Sequence, residues 1–316
     1  MSKYVISSSP HLRDNVSTKS IMQDVCISLL PACAAGVLFF GYRSAVILAL
    51  SVAAAVLSEW FYCKANHSKN TIGDFSAVVT GMLLAMNLPS TVPYWMPVIG
   101  SVIAILLVKM IVGGIGQNFM NPALAARAIL ALSWASVMNS FAQPAFGNLA
   151  GVDAIASATP ISGAANADFT LLQLFLGNIP GTIGETCKLA LLVGAAYLVW
   201  RKVISWHIPV AFMGSFVVCY LIATGFDVKA SIYQLLSGGV VLGACFMATD
   251  YSSSPATDLG KIIFGIGCGL LLFIFRFVKS TPAEWCSFAI LLMNVVSPLI
   301  ERVTRTKSFG EVKKNG

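Results

Sequence analysis

An all-α integral membrane protein of about ten transmembrane helices in two five-helix repeats is the fold class this sequence predicts. Composition is the first reason: of 316 residues, 57% are hydrophobic and 10% charged, whereas soluble domains carry about a quarter charged residues. Length is the second. Apolar runs of about 20 residues recur, enough for a helix that satisfies its own backbone groups to cross a hydrocarbon core of roughly 30 Å. Internal likeness is the third: Val78-Val79-Thr80-Gly81 returns as Val240-Val241-Leu242-Gly243, and the same offset of 162 residues pairs Ser90 with Ser252 and Pro93 with Pro255.

Apolar runs between polar or Gly/Pro punctuation place helices at 21–40, 44–62, 73–88, 95–112 and 121–138, then at 184–200, 207–224, 233–250, 259–277 and 283–301. The chain thus divides into a polar tail (1–20), a first repeat (21–138), a polar stretch (139–183), a second repeat (184–301) and a basic tail (302–316). Five helices is an odd number, so the second copy enters the membrane from the opposite side, an inverted topology of the kind found in transporters. The opening tail carries Lys3, Arg13 and Lys19 without a small-residue cleavage site and reads as cytoplasmic. With that end inside, Lys64, Lys69, Arg201, Lys202, Lys261, Arg302 and Arg305 also fall inside, against Arg43, Lys188, Lys229, Arg276 and Lys279 outside. Both tails are therefore cytoplasmic and the 139–183 stretch is external. The net charge of +7 belongs to this orientation rather than to nucleic-acid binding.

Eight cysteines are scattered singly through apolar segments, with no CxxC pair, so neither a disulfide framework nor a metal centre within the chain is expected, although a cluster shared with a partner subunit stays open. His11, His67 and His207 lie at termini or loops, and Trp60, Trp95, Trp134, Trp200, Trp206 and Trp285 lie near helix ends, as an interfacial belt would. Gly113, Gly114 and Gly116 permit sharp turns, with Asn118 and Asn121 able to hold freed backbone groups before Pro122 opens a helix. Two broken-helix turns are expected, here and at 252–255. Intramembrane polar groups are costly and therefore paired or functional. Asp74 and Asp250, near helix ends, are read as caps or as steps on a cation pathway; Glu59 and Glu284 are expected to reach the headgroups; Arg127 supports either the fold or a cofactor's polar edge.

The external stretch contains Val-Asp-Ala-Ile-Ala-Ser-Ala-Thr-Pro-Ile-Ser-Gly, in which Asp153 precedes Thr159 by six residues and Ser157 and Ala158 stand immediately before it. Small neighbours leave the threonine hydroxyl accessible to a modifying enzyme, and a nearby carboxylate can orient it. The string resembles the acceptor motif of flavin transferases, although Ala156 stands where a hydroxyl residue is more usual.

Three stretches extend the resemblance along nearly the whole chain: "GGIGQNFMNPALAARAIL" from Gly113, "SATPISG" from Ser157, and "FMATDYSSSPATDLGKIIFGIGCGLLLFIFR" from Phe246. With them the sequence resembles the RnfD/NqrB family, membrane subunits of the Rnf ferredoxin:NAD oxidoreductase and of the sodium-pumping NADH:quinone reductase. The resemblance implies FMN esterified through its phosphate to Thr159 on the outer face of the cell inner membrane. It implies a second, non-covalent flavin (riboflavin) between the repeats. It also implies sodium or proton translocation by an assembled complex. The partners would be membrane iron–sulfur subunits, a second covalent-FMN subunit, peripheral NADH- and ferredoxin-reacting subunits, and a flavin transferase for maturation. No catalytic residue or nucleotide-binding domain is visible, so the chain is expected to be one subunit of a larger assembly rather than a complete catalyst. The expected fold, two inverted five-helix repeats, is urea-transporter-like, and because such repeats also build urea and ammonium channels, a solute channel or transporter of that fold without redox function is the competing reading.

Overall fold

The computed structural model describes residues 17–68, 71–144, 146–147, 156–157, 169–278 and 285–305. Within them the chain is helical. The elements are α1 (Thr18–Phe40), α2 (Tyr42–Ala65), α3 (Ser76–Met86), α4 (Trp95–Val102), α5 (Pro122–Ser133) and α6 (Ala135–Met138). There follow the short strands β1 (Phe141–Ala142) and β2 (Ala156–Ser157), then α7 (Leu171–Leu176), α8 (Lys188–Trp200), α9 (His207–Ala223), α10 (Val228–Leu236), α11 (Val240–Leu242), α12 (Asp258–Val278) and α13 (Cys286–Thr304). Two helices continue in wider π-helical form: α4 through Ile103–Met110 and α11 through Gly243–Met247.

Local chemistry sets the ends of these elements. The Ser17 side chain accepts from the Ser20 amide to start α1, and Gly41, at φ 74°, stops it. Asn121 caps α5, with Pro122 in the first turn where its missing N–H costs nothing. Thr170 and Gln173 form a reciprocal capping box on α7, and Asp227 caps α10.

Every predicted helical run contains helix, but the lengths differ from the expectation of ten spans. Among the described residues, α1, α2, α12 and α13 are long and apolar enough to cross a membrane singly. The segments 228–236 and 240–247 would make one further span bent by 69°. This is a multi-pass membrane protein whose shorter apolar helices pack inside or beside the longer ones. Runs 73–88 and 233–250 were expected to be continuous, and each is broken. Phe75, at φ 64°, separates a 3₁₀ turn (Ile72–Asp74) from α3, and Gly238, at φ 67°, lies between α10 and α11. The expected glycine turn is present, with Gly113, Gly114 and Gly116 all at positive φ.

A break inside an apolar environment frees carbonyls that water cannot reach. At the second break Arg276, reaching over from α12, donates to the Gln234 carbonyl at 2.8 Å and the Ser237 carbonyl at 3.0 Å, with its guanidinium over the Phe216 ring. Arg276 is buried there, and Lys188 is fully buried with its ammonium on the Glu185 carbonyl.

One large core joins residues of α1, α3, α8, α9, α11, α12 and α13. α1 packs on α8, and α5 on α13. The first crossing is close because Gly194 leaves its face open to the Ser28 carbonyl, where a Cβ would not fit. At its α1 N-terminal side, Asp24 holds the Tyr197 hydroxyl at 2.9 Å and Arg201 at 3.2 Å. Asn87 and Thr249, 162 residues apart, each donate to the carbonyl four residues back, at 2.7 and 2.9 Å.

Candidate functional site

A cavity of about 350 Å³ opens where the N-terminal end of α1, the middle of α3, the start of α5 and the 249–252 turn converge. Its wall is largely apolar, built from residues such as Ile21, Met22, Val79, Leu83, Leu198 and Phe246. Set into that wall are Ser76, Thr80, Lys109, Asn118, Asn121, Thr249, Asp250 and Ser252. An apolar cleft with a few convergent polar groups is the general form of a small-molecule site, and the volume lies at the lower end of the usual ~300–1,000 Å³ range.

Much of this polar set is already committed. Asn121 does two jobs: its Oδ1 accepts from the amides of Ala123 and Leu124, at 3.0 and 3.3 Å, and its Nδ2 donates to the Met247 carbonyl at 3.2 Å. One side chain thus starts α5 and closes the end of the second π-helical segment. The Asn118 amide nitrogen, oriented by its surroundings, donates to the carbonyls of Val108 and Gly114, at 3.3 and 3.2 Å, which leaves its oxygen as an acceptor. Thr80 and Thr249 spend their protons on helix carbonyls and keep acceptor lone pairs. Asp250, in the turn after the second π-helical segment, accepts from the hydroxyls of Ser252 at 3.1 Å and Ser253 at 3.2 Å.

Behind the cavity lies a charged network. Lys109, near the end of the first π-helical segment, is 2% exposed; its Nζ lies 2.8 Å from Oε2 of Glu59, which is 0% exposed, and also bonds the Ser76 hydroxyl. Thr71 donates to the other Glu59 oxygen. The Ser76 hydroxyl lies 2.6 Å from Oδ1 of Asp74, which also accepts the Ser76 amide at 2.9 Å. Glu59 was expected to extend toward the headgroups. It turns inward instead, because Lys109 on the neighbouring helix meets it in the protein interior. Asp74 does cap, and through Ser76 it reaches the same cavity that Asp250 lines. Sequence reasoning missed Lys109, since a lone lysine in an apolar run carries no partner information. The spacing of Glu59 and Lys109 reveals nothing until α2 and α4 are packed together. Arg127, in contrast, donates to the Asn87 carbonyl at 3.3 Å and the Ser287 hydroxyl at 2.6 Å, tying α5 to both halves of the chain.

The acceptor segment is only partly in view. Thr159, Asp153 and Ala158 lie outside the described residues, as does Glu284. Ser157 pairs through its backbone with Phe141, and Ala156 with Ala142, in a two-residue antiparallel ladder. Ala142 packs with Phe39 and Phe40 at the C-terminal end of α1, whereas the cavity touches Thr18 and Ile21 at its N-terminal end. At 1.5 Å per residue the two features stand roughly 28 Å apart along α1. Within the described residues the cysteines form no disulfide and no group of metal-ligating side chains is found.

A helical, multi-pass membrane chain with a polar-studded cavity between its halves defines a class, and comparison with known proteins supplies the family. Residues 5–310 match the NQR2, RnfD, RnfE family, and the chain belongs to it. It is similar, at 46% identity over 98% of this chain and 96% of the relative, to the D subunit of the Na⁺-translocating ferredoxin:NAD⁺ oxidoreductase complex of Acetobacterium woodii. It is also similar, at 38% identity over 97% of this chain and 96% of the relative, to the D subunit of the proton-translocating ferredoxin:NAD⁺ oxidoreductase complex of Clostridium ljungdahlii. The corresponding D subunit of the ion-translocating oxidoreductase complex of Escherichia coli matches at 32% identity, over 98% of this chain and 99% of the relative.

Proposed function

We propose that this chain is the membrane flavoprotein subunit of a redox-driven sodium or proton pump that passes electrons between ferredoxin and NAD. The observation that carries the reading is family membership along almost the full chain, with relatives named as the D subunits of such complexes. In this reading FMN is esterified to Thr159 on the outer face of the inner membrane, with Asp153, Ser157 and Ala158 as the rest of the acceptor. Both tails are cytoplasmic. The ten helical runs form two inverted repeats, a reading supported by the 162-residue offset and by the packing of α1 on α8 and α5 on α13.

The second, non-covalent flavin suits the cavity between the halves. Its long apolar wall matches the faces of a fused aromatic ring, and its edge groups match a ring rimmed with carbonyls and ring nitrogens. Residues that would hold it are Lys109 as donor and Asn118, Thr80 and Thr249 as acceptors. A bound flavin supplies one-electron chemistry there; the chain itself positions the ring, excludes water and places charge. The cavity adjoins the N-terminal end of α1 and the Ala156–Ser157 pair lies toward its C-terminal end, and in this reading electrons pass between the two flavins through centres in partner subunits. These partners are the membrane iron–sulfur subunits, a second covalent-FMN subunit and peripheral subunits that react with NADH and ferredoxin, and a flavin transferase loads Thr159. In this reading Asp250, in the cavity wall, and Asp74, behind the wall through Ser76, are the carboxylates that handle the cation.

The test is in-gel fluorescence of the denatured chain, co-expressed with a flavin transferase, for the native sequence and Thr159→Ala. Fluorescence should survive denaturation in the first and vanish in the second. A dark native chain beside a labelled control acceptor would refute the covalent assignment.

A further inference from the structure

We infer that Lys109 is the positioning charge for the cavity's redox cofactor: a buried ammonium held in the wall so that it stabilises the reduced state. The inference rests on the reading that a non-covalent flavin occupies this cavity.

Lys109 lines the cavity, and Glu59 does not. The ion pair is therefore oriented, with its positive end at the wall and its negative end behind it. An ammonium has three donors, and the described residues use two of them, on Glu59 and on Ser76. The third remains for a ligand carbonyl. The arrangement is costly to build, since a lysine at 2% exposure in a membrane helix must be matched by a carboxylate at 0% exposure. Arg127 and Arg276 both donate to backbone carbonyls at helix breaks or ends, Arg127 also to the Ser287 hydroxyl. Among the described residues Lys109 has no backbone carbonyl as a partner; it bonds a carboxylate and the hydroxyl of Ser76, which also lines the cavity.

When one electron passes from a reduced iron–sulfur centre of a partner subunit to the bound flavin, that centre is oxidised and no bond in this chain forms or breaks. The negative charge gained in the cavity meets a positive charge already in place, in surroundings where charges are poorly screened. The opposing charge in the same wall is Asp250, which is engaged by Ser252 and Ser253. Asp74 and Glu59 stand behind the wall.

The experiment uses the purified complex and removes both members of the pair, Lys109→Met with Glu59→Gln, so that no uncompensated charge stays buried. Flavin released by denaturation is quantified first, and its absence from the native complex would overturn the cavity reading itself. With flavin present, a spectroelectrochemical titration should show the non-covalent flavin's midpoint potential lowered in the double variant. A tenfold change in the ratio of reduced to oxidised form, equivalent to 59 mV for a one-electron couple, is the expected size, and Lys109→Arg with Glu59 intact should keep most of the native value. If the double variant loses its flavin on purification, the ratio of Kd for oxidised and reduced riboflavin added back gives the same quantity. A native potential, or a native Kd ratio, in the double variant overturns the assignment of Lys109.

Discussion

Breaking the Glu59–Lys109 pair from one side should damage the protein far more than removing it altogether. The charges lie 2.8 Å apart at 0% and 2% exposure, so their mutual attraction is about 6 kcal/mol even at an effective dielectric near 20. Most of this offsets desolvation, which is why deleting both charges is close to neutral while deleting one strands the other, at about 3–5 kcal/mol. Lys109→Met alone should therefore lower the thermal midpoint of the detergent-solubilised protein by about 10 °C, taking roughly 2–4 °C per kcal/mol for a chain of this size. The double variant with Glu59→Gln should lie within about 3 °C of native. A thiol-reactive fluorophore is a suitable probe, because Cys33, Cys63, Cys245, Cys268 and Cys286 are buried and become reactive only on unfolding. Equal midpoints for the single and double variants would refute the argument, since the cost would then come from lost packing and not from a stranded charge.

Gly194→Val should weaken the α1–α8 crossing, because the added side chain meets the Ser28 backbone rather than a movable group. A loss of about 1–3 kcal/mol, read with the same fluorophore, is expected, and an unchanged midpoint would mean that the helices separate freely there. Asp250→Asn, which keeps the shape of a group held by Ser252 and Ser253, should leave the complex assembled and its flavin content native. Redox-driven sodium or proton uptake into vesicles should fall at least tenfold if this carboxylate handles the cation; native uptake would remove Asp250 from the pathway.

Much of the scaffold was legible in the sequence, because hydrophobic length and polar punctuation answer directly to bilayer thickness. The breaks at Phe75 and Gly238 were not. Gly73-Asp74 and Ser237-Gly238-Gly239 punctuate the two runs without showing that the helix stops there, and what accompanies the break is a distant partner: Arg276 for the second, while the first sits beside the network of Asp74, Ser76 and Lys109. Glu59 was misread for the same reason, since a carboxylate near a helix end looks exposed until a lysine fifty positions later is packed against it. The role of Asn121 was half visible: its capping of α5 follows from the Pro122 beside it, but its bond to the Met247 carbonyl depends on the other half of the chain.

The first π-helical segment has a further consequence. Its amides reach back five residues, as Ile111 does to Leu106 and Gly114 to Lys109, so it holds more residues per turn than an α-helix. Deleting a single residue from the ordinary α-helical turns ahead of it, within Trp95–Val102, would leave the wide turns in place and rotate every side chain beyond the deletion by about 100° relative to those before it. Lys109 would swing off the line joining Glu59 to the cavity, and the apolar composition that keeps the helix in the bilayer would hardly change. A hydropathy profile could not tell the two proteins apart, so the site is encoded in the count of residues within this helix as much as in their kind.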